Sequence, residues 1–277
     1  MITEKAYAKV NLALAVSDTL SDGYHDLKNI MVPIDLYDIL TFEEIEDGII
    51  LLDNTNLKAI DNIVYKAAKL FLSNYKIKKG VLITLDKHIP QEAGLAGGSA
   101  DAAATFRGLN KLFNLDIPLF ELAELSTNLG SDIAYCVYDK AALCTGRGTN
   151  IELLKTKYPK WNILLIKPPF GCSTKKIYEL YKNDKTEKDE KINNVIKALE
   201  VGDLDLLKEN MFNDLETPAF KLRPELAYLS NQYNKEIKCM MSGSGSTLFM
   251  ISDKEDVLVK IKEKSNEFLQ IYLTKLL

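Results

Sequence analysis

The sequence predicts an α+β protein, and three observations carry that expectation. Residues 6–16 put apolar side chains at every even position, Ala6, Ala8, Val10, Leu12, Leu14 and Val16, which is the period of two of a β-strand. Ile63, Val64, Ala67, Ala68, Leu70 and Phe71 instead recur at helical spacing. At 277 residues, 47% of them hydrophobic, the chain exceeds a typical single domain and carries enough apolar content for more than one core. Two domains are expected, residues 1–157 and 158–277.

The elements follow in order. On the odd face of the first strand stand Tyr7, Lys9 and Asn11, so Lys9 and Asn11 point the same way. Turn residues fill 17–23, and extended stretches follow at 29–36, 38–43 and 49–52. A helix is expected from about Asp61 and a strand over 81–85, after which His88 ends the strand without a role. The run Gly94-Leu95-Ala96-Gly97-Gly98 leads into Ser99-Ala100-Asp101-Ala102-Ala103-Ala104, where a helix is expected at or just after Ser99, with Ser99 as a candidate N-cap. Pro118 suits a first helical turn, so 118–128 reads as a helix that Gly130 ends, with Asp132 directly after it. A hairpin is expected over 141–154 with its turn at Gly146-Arg147-Gly148, and a strand at 162–166 that Pro168-Pro169 ends. Residues 182–191, almost all charged or polar, read as a solvated loop. Helices at 192–200 and 203–213, a strand at 237–241, the small-residue loop 242–246 and a last strand and helix complete the chain.

Composition excludes several function classes. A net charge of -4 argues against a nucleic-acid partner, because such proteins need a basic surplus to displace counterions. Cys136, Cys144, Cys172 and Cys239 form no Cys-x-x-Cys pair, and with two histidines there is no zinc-ligand cluster, so no protein metal site is proposed and a reducing cytoplasm fits best. Lys5, Lys9 and Asn11 interrupt the apolar N-terminus, which argues against a signal-peptide core or a membrane span. A homodimer is compatible with this composition, which does not decide it.

A glycine run before a helix gathers backbone N–H groups and the positive end of the helix dipole around a concavity, an arrangement that suits nucleotide phosphate. Glycine permits the close approach that side chains would block. The loop is no Walker A motif, since no Gly-Lys-Ser/Thr follows, and Gly94-x-x-Gly97 has the wrong spacing for a dinucleotide fingerprint. Ser99 is an N-cap or a group that meets phosphate or its magnesium; the residues alone leave both open.

Three segments in order, Ala-Lys-Val-Asn-Leu at 8–12, Pro-Gln-Glu-Ala-Gly-Leu-Ala-Gly-Gly-Ser-Ala-Asp at 90–101 and Met-Ser-Gly-Ser-Gly-Ser-Thr-Leu-Phe at 241–249, resemble the three motifs of the GHMP kinase superfamily across nearly the whole chain. Asp22-Gly23-Tyr24-His25, Gly130-Ser131-Asp132 and Gly146-Arg147-Gly148 are similar to the branch that phosphorylates a cytidine diphosphate derivative of methylerythritol in non-mevalonate isoprenoid synthesis. The resemblance implies an ATP- and Mg2+-dependent kinase of two domains, a ribosomal protein S5 domain 2-like N-terminal domain and a ferredoxin-like C-terminal one, with its active site between them.

It also implies roles. Lys9 and Asp132 match the catalytic pair, the carboxylate accepting the proton of the attacking alcohol and the lysine orienting it and keeping it ionised. Asn11, Tyr24, His25 and Tyr178 match substrate contacts, the tyrosines stacking on cytosine and His25 bonding its edge. Pro90, Gln91, Glu92, Ala93, Gly94, Leu95, Ala96, Gly97, Gly98, Ser99 and Ala100 form the nucleotide loop, with Asn62 and Lys87 on the adenine side. Ala96 and Asp101 depart from the commonest motif: Ala96 is tolerated at a negative φ, and Asp101 is expected in the first helical turn, favourable to the dipole and unfavourable to phosphate if it points inward. The alternatives are a relative acting on another alcohol and a silent nucleotide binder. The presence of Tyr24-His25 argues against the first, and that of Lys9 and Asp132 against the second.

Overall fold

The computed structural model describes residues 1–19, 25–55, 58–157, 160–182 and 188–277, with the side chains of residues 18 and 19 outside the description. Two compact units are present: Met1–Ala8, Leu36–Pro90 and Ala96–Asp139 form the first, and Lys9–Asp35, Gln91–Leu95 and Lys140–Leu277 the second. Strands β1 (Ile2–Thr19) and β2 (His25–Ile45) each contribute residues to both.

In the first unit the later half of β2 pairs antiparallel with β4 (Gly80–Asp86), from Ile39↔Asp86 to Ile45↔Gly80, and β3 (Ile49–Asp53) lies parallel to β4. Between β3 and β4 runs α1 (Ile63–Asn74), whose buried Val64, Ala67, Ala68 and Phe71 form the stripe seen in the sequence. Helices α2 (Gly97–Leu112), α3 (Leu119–Ser126) and α4 (Ser131–Cys136) follow. Residues 100–106 of α2 are all buried, so this helix is central, and its alanines and Gly108 let neighbours come close. A side chain at Gly108 would run into the Phe42 ring, while Phe106 packs with Phe71 at 6.2 Å between ring centres.

In the second unit the early half of β2 pairs with β5 (Ala142–Gly146), which turns at Gly146–Gly148 into β6 (Asn150–Leu153). A second sheet holds β7 (Asn162–Lys167), β9 (Cys239–Met241), β10 (Leu248–Ser252) and β11 (Gln270–Lys275) in the order β11-β7-β10-β9, every pair antiparallel. That order, fourth strand, first, third, second, is the ferredoxin-like arrangement. Every residue of the central strands β7 and β10 is buried. Leu164, Ile166, Met241, Leu248 and Met250 pack with Leu226, Leu258 and Ile261 of the covering helices. No described helix is long and apolar enough to cross a membrane, and none of the four cysteines is in a disulfide.

Several boundaries differ from the sequence reading. β2 runs unbroken through residue 37, where two stretches were expected, because each half finds its own partner strand. The helix expected to end at 213 is α7 (Leu204–Asn210); Phe212 and Asn213 instead form β8, parallel to β1 at Ala13↔Phe212 and Leu14↔Asn213. Gly130 does not end α3. It stands at the N-cap of α4, so Asp132 lies in a helical first turn. The polar stretch 182–191 falls partly outside the described residues; its last three residues open α6 (Asp189–Val201). Helices α5 (Thr174–Leu180), α8 (Glu216–Leu222) and α9 (Pro224–Tyr233), and strand β11, were not anticipated.

Candidate active site

Within the second unit, parts of all three motifs meet. The Lys9 ammonium donates to Asn11 Oδ1 at 2.6 Å and to the Gly94 carbonyl at 3.0 Å. Ser242 Oγ donates to the same Gly94 carbonyl at 2.9 Å and stands 3.4 Å from Asn11 Oδ1. Asn11 Nδ2 in turn donates to Asn29 Oδ1 of β2 at 2.8 Å. All four side chains are buried, so each bond forms where water does not compete and each unpaired group would be costly.

The main chain ties the same segments. Lys9 N–H donates to Leu95 O at 3.1 Å, and Thr247 N–H to Ala93 O at 3.2 Å. Gly94 needs to be glycine: its φ is +72°, and a β-carbon there would run into the Ser242 carbonyl. Gly243, at φ +56°, passes so close that a β-carbon would stand 3.3 Å from Lys9 Nζ and 3.4 Å from Asn11 Oδ1. Asn213 holds that loop from behind, donating to Met241 O and Gly243 O, both at 2.8 Å.

The rest of the glycine run shapes the start of α2. Pro90 is half-buried, Gln91 and Glu92 are exposed, and Ala93, Leu95 and Ala100 are buried anchors. The helix begins at Gly97 and not at Ser99, so Ser99 stands inside the first turn and is no N-cap. The N-cap is Ala96, at φ +57°. The negative φ at which Ala96 would be tolerated without strain is therefore not met; the left-handed backbone costs a non-glycine residue about 1–2 kcal/mol, and Ala100 N–H bonding Ala96 O at 2.9 Å closes the turn behind it. Gly98 is exposed, leaving the helix N-terminus uncovered by its own side chains.

Asp101 is likewise corrected. It lies beyond the first turn, which holds no acidic residue, and its buried carboxylate accepts from Lys87 Nζ at 2.7 Å. Lys87 also pairs with the fully buried Asp38. Asp38 Oδ1 accepts from the main-chain N–H groups of His88 and Ile89 at 2.5 and 2.8 Å, so this triad ties β2, the end of β4 and α2 together. Burial pushes the Asp101 carboxyl up to about 8; Lys87 pulls it down and Asp38 pushes it up again. Burial depresses Lys87, but the charges of Asp101 and Asp38 leave it raised. Asn62 caps α1: its Oδ1 accepts from Val64 N–H at 3.0 Å while Nδ2 donates to Asp53 Oδ2 at 3.0 Å.

His25, at the start of β2, stacks on Tyr178 of α5 at 5.2 Å with the rings 25° apart, and meets Tyr181 edge-on at 5.9 Å. Its Nδ1 is buried with no hydrogen-bond partner among the described residues. The hairpin turn bearing Arg147 lies alongside, through the pair Leu27↔Gly146. Tyr24 lies outside the described residues. Asp132 stands half-buried in the first unit, in the first turn of α4, whose next four residues are buried.

Asn29, Asp38 and Asn213 escaped the sequence reading. A polar residue directly before the apolar run Ile30-Met31-Val32 was the available signal for Asn29, whereas nothing local marks Asp38, whose partners come from the end of β4 and from α2.

Residues 62–140 match the family described as GHMP kinases N terminal domain and residues 195–270 that described as GHMP kinases C terminal. A 4-diphosphocytidyl-2-C-methyl-D-erythritol kinase of Clostridium botulinum is 41% identical over 276 residues, 98% of each chain. One of Macrococcus caseolyticus is 44% identical over 262 residues, 92% of each chain. The crystal structure of a 4-(cytidine 5'-diphospho)-2C-methyl-D-erythritol kinase superposes with a TM-score of 0.86 at 29% identity, covering 99% of both chains. The chain belongs to the GHMP kinases, and within them to the family of its full-length relatives, the 4-diphosphocytidyl-2-C-methyl-D-erythritol kinases. It is an ATP-dependent small-molecule kinase. A homoserine kinase from Cytophaga hutchinsonii, 17% identical with a TM-score of 0.75, shares the fold.

Proposed function

We propose that the chain transfers the terminal phosphoryl group of magnesium-bound ATP to the 2-hydroxyl of 4-diphosphocytidyl-2-C-methyl-D-erythritol, giving the 2-phosphate and ADP, a cytoplasmic step towards isopentenyl diphosphate. The observation that carries this reading is 41% identity over 98% of both chains with a kinase named for that substrate. The functional domains on this reading are residues 1–157 and 158–277, with the matched segments 62–140 and 195–270 on either side of the boundary.

Asp132 accepts the proton of the attacking hydroxyl, a contribution of roughly 10² to 10⁴ in rate. Lys9 supplies positive charge at the reacting groups, which matters because phosphoryl transfer depends mainly on positioning and charge neutralisation. Asn11, fixed between Lys9 and Asn29, contacts the alcohol. Tyr24, His25 and Tyr178 take the cytidine, and His25 Nδ1, without a hydrogen-bond partner among the described residues, suits an edge contact with the base. The loop from Pro90 to Ala100 takes the phosphates, with Asn62 and Lys87 on the adenine side.

Magnesium fits this donor set. It keeps phosphate and water ligands and asks for one or two protein oxygens, so it needs no dedicated cage; no group of three or more His, Cys, Asp or Glu able to hold a metal occurs among the described residues. Ser99, inside the first turn of α2, is the residue that would supply such an oxygen, and that turn brings no competing carboxylate. When bound, the ion neutralises charge on the phosphates.

The test is ADP release with magnesium-ATP and, in turn, 4-diphosphocytidyl-methylerythritol, mevalonate, homoserine and galactose, with Asp132→Ala as control. Release with the cytidyl substrate alone, lost in the variant, supports both substrate and base. Turnover of another alcohol instead overturns the substrate.

A further inference from the structure

Helix α4 carries Asp132 in its first turn yet spans only Ser131–Cys136, too few residues to hold its own conformation. What fixes it must come from outside. Its C-terminal end meets the guanidinium of Arg107, from the C-terminal half of α2. Arg107 Nη1 donates to Cys136 O, the last carbonyl of α4, at 2.8 Å and lies 3.4 Å from the carbonyl of the C-cap Val137. A cation there satisfies orphan carbonyls and complements the negative end of the helix dipole.

The same guanidinium is anchored on every side. Its Nε donates to Glu4 Oε2 at 3.1 Å, Nη2 donates to Lys5 O at 2.8 Å, and Nη2 pairs with Asp139 Oδ2 at 2.8 Å. The side chain is 11% exposed, and Glu4 is held from its other oxygen by Lys111 at 2.5 Å. Asp139, three residues past α4, stands at φ +47° and makes this pairing from a backbone conformation that non-glycine residues seldom adopt. One planar fork of five donors therefore joins the start of β1, the long helix α2 and both the end and the exit of α4.

We infer that Arg107 is a positioning residue for the phosphoryl transfer: through the C-terminal carbonyls of α4 and through Asp139 it sets the placement of Asp132. This rests on the reading of Asp132 as the base. The structure supplies a second support. Burial pushes the Asp139 carboxyl up to about 6, Arg107 pulls it down and Glu4 pushes it up, so Asp139 keeps its charge, and its hold on the α4 exit, through Arg107.

ADP release by Arg107→Met, Arg107→Lys, Asp132→Ala and the double variant Arg107→Met/Asp132→Ala, each normalised to its folded fraction by circular dichroism, tests the inference. Arg107→Met is expected to lower kcat by about 10- to 100-fold, as misplacement of a reacting group by an ångström does, with KM for ATP within about twofold of the unmodified protein. Added guanidinium ion at millimolar concentration is expected to restore part of the rate. On the Asp132→Ala background the Arg107 change is expected to cost nothing more, whereas a merely structural role would lower the melting temperature and leave kcat per folded molecule unchanged. If Arg107→Met does not fold, Arg107→Lys, which keeps the cation but not the fork, is expected to show the same split between kcat and KM. A folded Arg107→Met and Arg107→Lys with kcat within about twofold of the unmodified protein overturns the inference while a slow Asp132→Ala leaves the base assignment standing. A fully active Asp132→Ala overturns both.

Discussion

Lys9 and Ser242 donate to one acceptor, the main-chain carbonyl of Gly94, at 3.0 and 2.9 Å. A lysine from the first strand and a serine from the last motif thus pin the turn of the glycine run. Gly94→Ala adds a β-carbon against the Ser242 carbonyl at a φ of +72°. It is expected to cost about 2 kcal/mol or more and to raise KM for ATP. A thermal melt and a titration of ATP check this, and a variant with unmodified Tm shows that the loop relaxes freely.

Asn29 receives the Asn11 amide at 2.8 Å in a buried setting. Asn29→Leu leaves that donor without its acceptor, at a cost of about 1–3 kcal/mol. Urea unfolding measures it. Because Asn11 also accepts from Lys9, kcat is expected to fall as well, and a variant that loses stability with full turnover disconnects the polar chain from catalysis.

Asp101 gives the pH dependence. Its carboxyl is raised from 3.8 to about 8 in the fold, first by burial, so the folded state keeps a proton that the unfolded state has released. The stabilisation from that proton is complete below pH 3.8 and is lost as pH rises to about 8. Asp101→Asn is isosteric with the protonated form: its carbonyl accepts from Lys87 and its amide faces Asp38. The variant is expected to lose less stability than the unmodified protein between pH 6 and 8, read as urea midpoints across that range. Equal losses in both proteins refute the assignment.

His25 stacks on Tyr178 and presents a buried Nδ1 with no hydrogen-bond partner among the described residues. With the cytidyl substrate, His25→Leu is expected to raise KM by about 5- to 10-fold, the equivalent of about 1 kcal/mol of base recognition. KM for ATP is expected to stay unchanged. A parallel rise for ATP places His25 outside the cytidine contacts. Initial rates at varied concentrations of each substrate separate the two outcomes.

Much of the architecture was legible because it is written locally. The alternation at 6–16, the helical spacing at 63–71 and the Gly146–Gly148 turn each report a property of neighbouring residues, and each element formed where expected. Two departures from that reading arise from context beyond the local sequence. Strand β8 is two residues long and exists only because β1 lies beside it, and Gly130 opens α4 where composition alone suggested a stop.

The candidate site divides the same way. The sequence by itself determined the family, through three motifs in order, and placed Lys9 and Asn11 on one strand face, because alternation is a covalent property of the chain. Tertiary structure alone decided that Gly94 and Ser242 complete that face, that Lys87 is held by Asp38 and Asp101, that Ala96 adopts a left-handed backbone, and that Arg107 closes the end of α4. Each of these depends on a partner distant in sequence. A buried charge or an unfavoured φ persists only when that partner compensates its cost, and periodicity carries no record of it.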